Sequence, residues 1–174
     1  MKKEILLWAI GLMLFLPTQA QKINAETSKV TFEIGNMAFR VVEGSFTEMS
    51  GEIRFNATDL SSASFKVCIN PETVDTDNKK RDDHLKNEDF FHTSKYPSIC
   101  FESTTIKKGE NGFIAVGQLT MHGVTKEVQI PFTYEKNTFT GTLNLNRLDY
   151  QIGEDTSTFM VADEVSITIT CQVN

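Results

Sequence analysis

Apolar residues alternate with polar residues through most of the chain beyond Lys29, and a period of two is typical of half-buried β-strands. About eight such runs can be counted in the sequence. Their apolar positions are Val30, Phe32 and Ile34; Phe46, Ile53 and Phe55; Phe65, Val67 and Ile69; Ile99 and Phe101; the run Phe113–Met121; Val128, Ile130, Phe132 and Tyr134; Phe139, Leu143 and Leu145; and Val165, Ile167, Ile169, Cys171 and Val173. The pattern does not settle which alternate positions of Phe113–Met121 face inward. It predicts an all-β chain in which each strand has one apolar face.

Tight turns separate several of these runs. Gly109–Gly112, Gly123 and the pair Lys136-Asn137 are typical of short hairpin connections, and Gly51 marks a bend or bulge in the second predicted strand. Eight antiparallel strands joined by tight turns favour an up-and-down barrel. A sandwich of two sheets satisfies the same alternation, and periodicity does not separate the two architectures.

One segment breaks the strand pattern. Residues 78–91 are rich in charge and in helix-forming residues, which predicts a short helix over Lys79–Asn87 between the third and fourth predicted strands. Tyr96-Pro97 then returns the chain to an extended conformation. A helix of this length needs packing partners to be stable, so we expect it to lie across one end of the barrel as a lid, with Leu85 and Phe90-Phe91 as its apolar contacts.

The N-terminus resembles a secretory signal peptide. Lys2 and Lys3 precede the apolar stretch 5–16, and a small-residue cleavage site follows at residues 18–20. The stretch is short for a membrane span, so we expect residues 1–20 to be a signal peptide and residues 21–174 to form one exported domain in the periplasm of a Gram-negative bacterium. Stable membrane insertion is not expected.

The negative net charge of the chain argues against two classes of binding partner. The formal net charge is −6 and becomes −7 when Lys2, Lys3 and Glu4 are removed with the leader. An acidic domain is a poor electrostatic partner for nucleic acid or an anionic membrane surface. A homodimer remains compatible with the sequence.

Composition adds an unusual aromatic content, with thirteen phenylalanines and one tryptophan. Phenylalanine contributes a large apolar area without a polar group that needs a partner. Such rings can line the inside of a small barrel, which then either packs shut or holds an apolar ligand.

Of the three cysteines, two are expected on the outer face of the sheet and one on the inner face. Cys68 is opposite in parity to Phe65 and Val67, close to the end of its strand, and Cys100 is near the start of the next. If these strands pair antiparallel, the two thiols meet on the outer face, and an oxidising compartment permits a disulfide there. Cys171 shares the inward parity of its strand, so we expect a buried free thiol.

Chemical motifs for catalysis are lacking. The sequence contains no nucleophile elbow, phosphate loop or dinucleotide fingerprint, and His84 and His92 lack the spacing of a metal site. Arg147 and Asp149 lie two apart in a predicted strand, where a structural ion pair at the barrel rim explains them. We therefore expect no enzyme activity, no cofactor and no metal.

Several motifs together resemble one family. They are Arg81-Asp-x-His84-Leu85, Asp89-Phe90-Phe91, Tyr96-Pro97-x-Ile99-x-Phe101-x-Ser103, Gly117-x-Leu119-Thr120-x-x-Gly123-Val124-Thr125-Lys126 and Arg147-x-Asp149-Tyr150-x-Ile152. In this combination and order the chain is similar to the YceI-like family of periplasmic proteins. Asn36 and His92 depart from the residues usual in that family, which affects head-group recognition more than tail binding.

The resemblance implies an eight-stranded, lipocalin-like antiparallel barrel with a helix between strands three and four. It also implies non-catalytic binding, sequestration or transport of a polyisoprenoid or other long-chain lipid, such as an isoprenoid quinone or its precursor. The expected ligand contacts are Val30, Phe32, Ile34, Phe46, Ile53, Phe65, Val67, Phe101, Ile130, Phe132, Phe139 and Leu145. The expected lid or head-group region comprises Arg81, His84, Leu85, Phe90 and Phe91. The alternative is a filled-core barrel that serves as an envelope stress accessory and binds a protein on its outer face.

Overall fold

Ten strands, all paired antiparallel, form a single sheet in a computed structural model that describes residues 20–36 and 40–174. The strands are β1 (Gln21–Lys22), β2 (Lys29–Asn36), β3 (Arg40–Phe46), β4 (Ser50–Arg54), β5 (Ser64–Ile69), β6 (Ile99–Gly109), β7 (Gly112–Met121), β8 (Val124–Glu135), β9 (Thr138–Asn146) and β10 (Val161–Gln172). Helix α1 spans Lys79–Leu85, and 3-10 turns occupy Pro71–Thr73 and Arg147–Tyr150. The predicted signal peptide falls almost entirely on residues 1–19, outside the described ranges. No helix within those ranges has the length and apolar character needed to cross a bilayer.

The connection between β3 and β4 requires the sheet to curl. It runs β1-β4-β5-β6-β7-β8-β9-β10-β2-β3, so β3 and the β1–β4 pair lie at opposite ends of the sheet. Yet β3 and β4 are consecutive in the chain and are joined by three residues, 47–49, which reach about 10–13 Å at most. The sheet must therefore curl until its ends meet, which confirms the predicted all-β antiparallel barrel.

The predicted second strand is two strands in the structure. The chain bends at Glu48, which has a φ of 55°, so that β3 pairs with β2 whereas β4 pairs with β5. Phe46, Ile53 and Phe55 are all buried, although the inward parity shifts from even to odd positions across the break. This break and the two-residue β1 account for the difference from eight strands.

Large rings close one end of the barrel, which we call the floor. The ring of Phe55 lies 5.0 Å from Phe113, 5.2 Å from Tyr134, 5.3 Å from Phe139 and 5.6 Å from Phe132, measured between ring centroids. Edge-to-face packing at these distances is favourable. Phe55 and the rings around it therefore seal the floor.

Helix α1 lies at the other end, which we call the mouth. It begins after Asn78, whose side chain accepts a hydrogen bond from the Arg81 amide, and it ends at Leu85, two residues before the predicted end. The segment leading into it pairs with β3 through Ser45 and Asp75. The helix lies between β5 and β6, which are the third and fourth predicted strands, as expected.

The expected disulfide is present. Cys68 and Cys100 are directly opposed in the β5–β6 ladder, with Cα atoms 4.1 Å apart, and their sulfurs are bonded. Cys171 is free and buried, as its inward parity predicted.

Removing the disulfide is expected to lower the free energy of unfolding. The bond closes a loop with a sequence separation of 32 residues, for which chain entropy gives a loss of about 3–4 kcal/mol in a Cys68→Ser/Cys100→Ser variant. Denaturant unfolding measures this loss. Alkylation of the denatured, unreduced protein should label one thiol, and Cys171→Ala should abolish that label. Labelling of all three thiols before reduction would contradict the bond.

Candidate ligand-binding cavity

A cavity of about 450 Å³ lies inside the barrel between the floor and the mouth. Phe65, Phe132 and Phe139 line its lower end, whereas Phe55 and Phe113 lie beneath them and do not reach it. Ligand sites in proteins commonly have volumes of roughly 300–1,000 Å³. The cavity is therefore large enough to take a small organic ligand or part of a long one.

The cavity walls combine aliphatic side chains with phenylalanine rings. Leu143 and Ile167 oppose each other across β9 and β10, and both line the cavity. They are only partly buried although their side chains face inward, because the surface they leave accessible is the surface of the cavity. In a filled barrel the same positions would have no accessible surface.

Every residue expected to contact a ligand lines this cavity, and so does every residue of the expected lid region. Helix α1 and the turn after it bring Arg81, Leu85 and Phe91 to the mouth, while the ring of His84 packs edge-on against Phe90 at 5.0 Å. The geometry brings both sets together around one space. Their role as ligand contacts stays a prediction.

Sequence reasoning missed part of the lining. The parity of β7 is now settled, because Ala115, Leu119 and Met121 are buried and line the cavity. A signal was present in the two-residue turn at 122–123, which places Met121 directly opposite Val124. Opposed residues share a face of the sheet, so the clear parity of β8 determines that of β7.

The environment of Arg147 differs from the ion pair at the barrel rim that the sequence predicts. Arg147 is 3% exposed, and it lies in a 3-10 turn because the Asn146 side chain accepts a hydrogen bond from the Leu148 amide. The expected pair with Asp149 is wrong, since the Asp149 carboxylate contacts Lys126 at 2.8 Å. Arg147 instead pairs with Asp163 at 3.2 Å.

The remaining donors of Arg147 bind backbone carbonyls of the connection between β9 and β10. Nε donates to Ala162 at 3.0 Å, Nη1 to Ile152 at 2.8 Å and to Gly153, and Nη2 to Thr156 and Val161, each at 3.2 Å. A buried guanidinium is tolerable when all its donors are satisfied. Arg147 therefore organises this loop at the mouth and has no donor left for a ligand.

Arg81 is partly committed in the same way. Its Nε donates to the Thr76 hydroxyl and its Nη2 to the Thr76 carbonyl, both at 2.7 Å. Among the described residues, none accepts a hydrogen bond from Nη1 of Arg81. The residue also contributes to the cavity lining. Within the same ranges, no cluster of three potential metal-ligating side chains occurs.

Comparison with known proteins identifies the family. The YceI-like domain matches residues 21–173. The chain belongs to the YceI-like family. A UPF0312 protein of Shewanella baltica strain OS185 is 31% identical over 172 residues, which covers 89% of this chain and 90% of that protein.

Solved structures agree with the YceI-like fold. Burkholderia cenocepacia BcnA superposes with a TM-score of 0.79 at 28% identity and covers 86% of this chain and 98% of its own. A polyisoprenoid binding domain from Saccharophagus degradans, implicated in plant cell wall breakdown, superposes with a TM-score of 0.68 at 15% identity. It covers 89% of this chain and 98% of its own, and at that identity the likeness concerns the fold.

Two polar groups in the YceI-like core have unusual environments. Tyr150 is 2% exposed, and among the described residues its hydroxyl has no hydrogen-bond partner. Burial raises the pKa of this hydroxyl, and the charge of Asp149 raises it further. Burial also raises the pKa of the Cys171 thiol to about 11, against the lowering effect of a hydrogen bond with Ser28.

Tyr150→Phe is expected to leave the YceI-like domain equally stable or to stabilise it by about 1 kcal/mol. The substitution removes a hydroxyl whose desolvation no hydrogen bond offsets. Tyr134→Phe is the matched control, because the Tyr134 hydroxyl donates to Asn137 and accepts from Gln21, each at 3.3 Å. Denaturant unfolding of both variants measures the difference, and a loss above 1 kcal/mol for Tyr150→Phe alone would show that the hydroxyl has a partner.

The pKa of the Cys171 thiol rises from 9.0, its ordinary value, which we take for the unfolded chain, to about 11 in the folded protein. The free energy of unfolding should therefore fall as the pH rises from 9 towards 11. In that window the unfolded state loses the Cys171 proton while the folded state keeps it, so ionisation favours unfolding. The expected loss by the upper end is about 2–3 kcal/mol relative to Cys171→Ala, which lacks the group. Urea unfolding across this pH window tests it, and parallel curves for the two proteins would contradict it.

Proposed function

We propose that this protein binds a long-chain lipid of the polyisoprenoid type, such as an isoprenoid quinone or its precursor, and sequesters or transports it without chemical change. The observation that carries this proposal is the cavity of about 450 Å³, lined almost throughout by hydrocarbon side chains. A prenyl tail offers only apolar surface, which is the surface the walls match. The polyisoprenoid-binding neighbour of the same fold supports this ligand class.

The energetics suit a tail rather than a polar ligand. Removing apolar surface from water contributes on the order of 25 cal/mol per Å², so a few prenyl units supply several kcal/mol before the cost of ordering the chain. Floor rings such as Phe65 and Phe132 add contact area without unsatisfied donors or acceptors. A polar ligand at the same depth would lose its hydration without replacement.

The mouth favours a head group with few acceptor oxygens. The polar side chains among the lining are Asn36, Arg81, His84, Arg147 and Thr156, and Arg147 is fully occupied by its own loop. Nη1 of Arg81 can donate to a carbonyl or hydroxyl oxygen, whereas a diphosphate requires several cationic donors. This supports a quinone-like or alcohol head over a diphosphate.

The absence of catalysis is also part of the proposal. The cavity lining includes no carboxylate. Its two cysteines are unsuited to nucleophilic attack, since Cys68 is disulfide-bonded and the pKa of Cys171 is raised to about 11. The YceI-like barrel then serves as a container for its ligand.

We also propose that the protein is located in the periplasm. The disulfide between Cys68 and Cys100 is typical of an oxidising compartment outside the cytoplasm. It agrees with the signal peptide that the first twenty residues resemble.

The alternative function combined a filled core with a protein partner on the outer face, and only the second part stays open. A filled core does not describe a barrel with an internal space of about 450 Å³. A partner protein bound to the outer face stays a prediction, to be tested by whether the isolated protein carries lipid.

Ile167→Trp is expected to reduce lipid bound in the cavity at least tenfold. Ile167 lines the cavity at mid-height, and the larger ring would occupy the path of the tail. Native mass spectrometry of gently purified protein measures the bound fraction. Thr168→Trp is the matched control, because Thr168 is the next residue of β10 and is exposed on the outer face.

Thermal unfolding of both variants separates loss of binding from loss of fold, since a ring that fills a cavity need not destabilise the protein. Wild-type protein that never carries lipid, or equal lipid loss in both variants, would overturn the proposal.

A further inference from the structure

Three large hydrophobic side chains remain exposed among the described residues, and all three lie at the mouth. Val41 is 63% exposed, Phe159 is 66% exposed and Met160 is 42% exposed. Isolated exposed apolar residues are ordinary on protein surfaces. Their confinement to one sector of one end is what requires an explanation.

The sheet register places the backbone positions of the three residues in one sector of the mouth. Met160 immediately precedes Val161, which pairs with Asn36 of β2, and Asn36 pairs in turn with Arg40 of β3. Val41 follows on the next rung of the ladder. Neighbouring strands are about 4.8 Å apart, so β10 and β3 are separated by about 10 Å. We call Val41, Phe159 and Met160 the apolar rim.

The rim is held in place rather than left loose. The turn Ser157–Met160 is closed by hydrogen bonds from the Met160 and Val161 amides to the Ser157 carbonyl, at 2.8 and 3.0 Å. Nη2 of Arg147 binds the carbonyls of Thr156 and Val161 on either side of this turn. A buried arginine therefore fixes both ends of a segment whose tip presents two exposed apolar side chains.

The rim is also continuous with the cavity. Thr156, Met160 and Val161 line the cavity, whereas Val41 adjoins them from the outer face of β3, because its neighbour Val42 faces inward. Met160 thus faces both solvent and the interior. An apolar tail that leaves the cavity over this sector would pass from one hydrocarbon surface to another.

We propose that the apolar rim docks on the surface of a lipid bilayer, with Phe159 and Met160 inserted among the acyl chains and the mouth turned towards the membrane. The exposed area of the rim is about 300 Å² for side chains of this size. That is well below the roughly 800 Å² per partner of a stable protein interface, so a second copy of the chain is a poor occupant. Shallow, reversible insertion needs no more than a few such side chains.

Charge decides the kind of bilayer. The chain carries a formal net charge of −6, so an anionic surface repels it, and the insertion is apolar rather than electrostatic. The favoured surface is zwitterionic. The proposal goes beyond the proposed function, because docking on a bilayer free of isoprenoid does not require a ligand in the cavity.

The test uses protein purified after export and vesicles of phosphatidylcholine alone. The one tryptophan of the sequence, Trp8, lies in the predicted leader, so after export Phe159→Trp reports from the rim alone, and Glu110→Trp reports from the β6–β7 turn at the opposite end of the barrel. We expect the emission of Phe159→Trp to shift to shorter wavelength on adding vesicles, while that of Glu110→Trp stays unchanged. Co-flotation of the Phe159→Ser/Met160→Ser variant should fall at least fivefold relative to the wild type.

Several results would overturn the proposal. They are no shift for Phe159→Trp, equal shifts for the two reporters, or unchanged flotation of the double variant. A wild-type dimer in sedimentation experiments that the double variant dissociates would assign the rim to a second copy instead. Because these vesicles contain no isoprenoid, the outcome is separate from whether the cavity binds lipid.

Discussion

The antiparallel sheet, curled until its two end strands lie side by side, is the constraint on which the rest of the structure depends. Strands spaced about 4.8 Å apart around a barrel set its circumference, so the side chains inside cannot draw the walls together. Whether the interior fills is then decided by side-chain size alone. At the floor, rings such as Phe55, Phe113 and Phe132 reach one another across the barrel. Higher up, residues such as Leu143 and Ile167 are too short to meet, and the cavity is the space they leave.

The mouth is held differently, because hydrogen bonds and an ion pair of buried polar side chains fix its loops. Arg147 is nearly fully buried, and its guanidinium replaces the missing hydrogen bonds of a long connection between two strands. Arg81 does the same on a smaller scale for the segment before helix α1. A loop with carbonyls directed at one buried cation can keep a defined shape without regular secondary structure. That is how the rim residues Phe159 and Met160 come to be exposed on a fixed turn.

The barrel therefore has two different ends. One end is sealed by aromatic packing, the walls are apolar, and the open end carries the available donor of Arg81 and the apolar rim. A tail with a small polar head fits such a container in one orientation only. The disulfide between Cys68 and Cys100 ties β5 to β6 on either side of the long segment that carries helix α1. It thereby limits how far the sheet can part beside helix α1.

The local pattern of the sequence was sufficient for the strands, the inward parity of most of them, helix α1 and the pairing of Cys68 with Cys100. Each depends on a period of two, on a run of helix formers or on the simple geometry of neighbouring strands. The break at Glu48, the parity of β7 and the environment of Arg147 were decided by tertiary structure. A bend at one residue changes both the strand's partner and its inward parity, and a strand with apolar residues on both faces takes its parity from its neighbour. An arginine beside an aspartate in sequence gives no sign that carbonyls far along the chain will surround it. Above all, composition showed that the interior is apolar, but only the closed sheet showed that it is hollow, because a void depends on the distance between opposite walls and no local pattern encodes that distance.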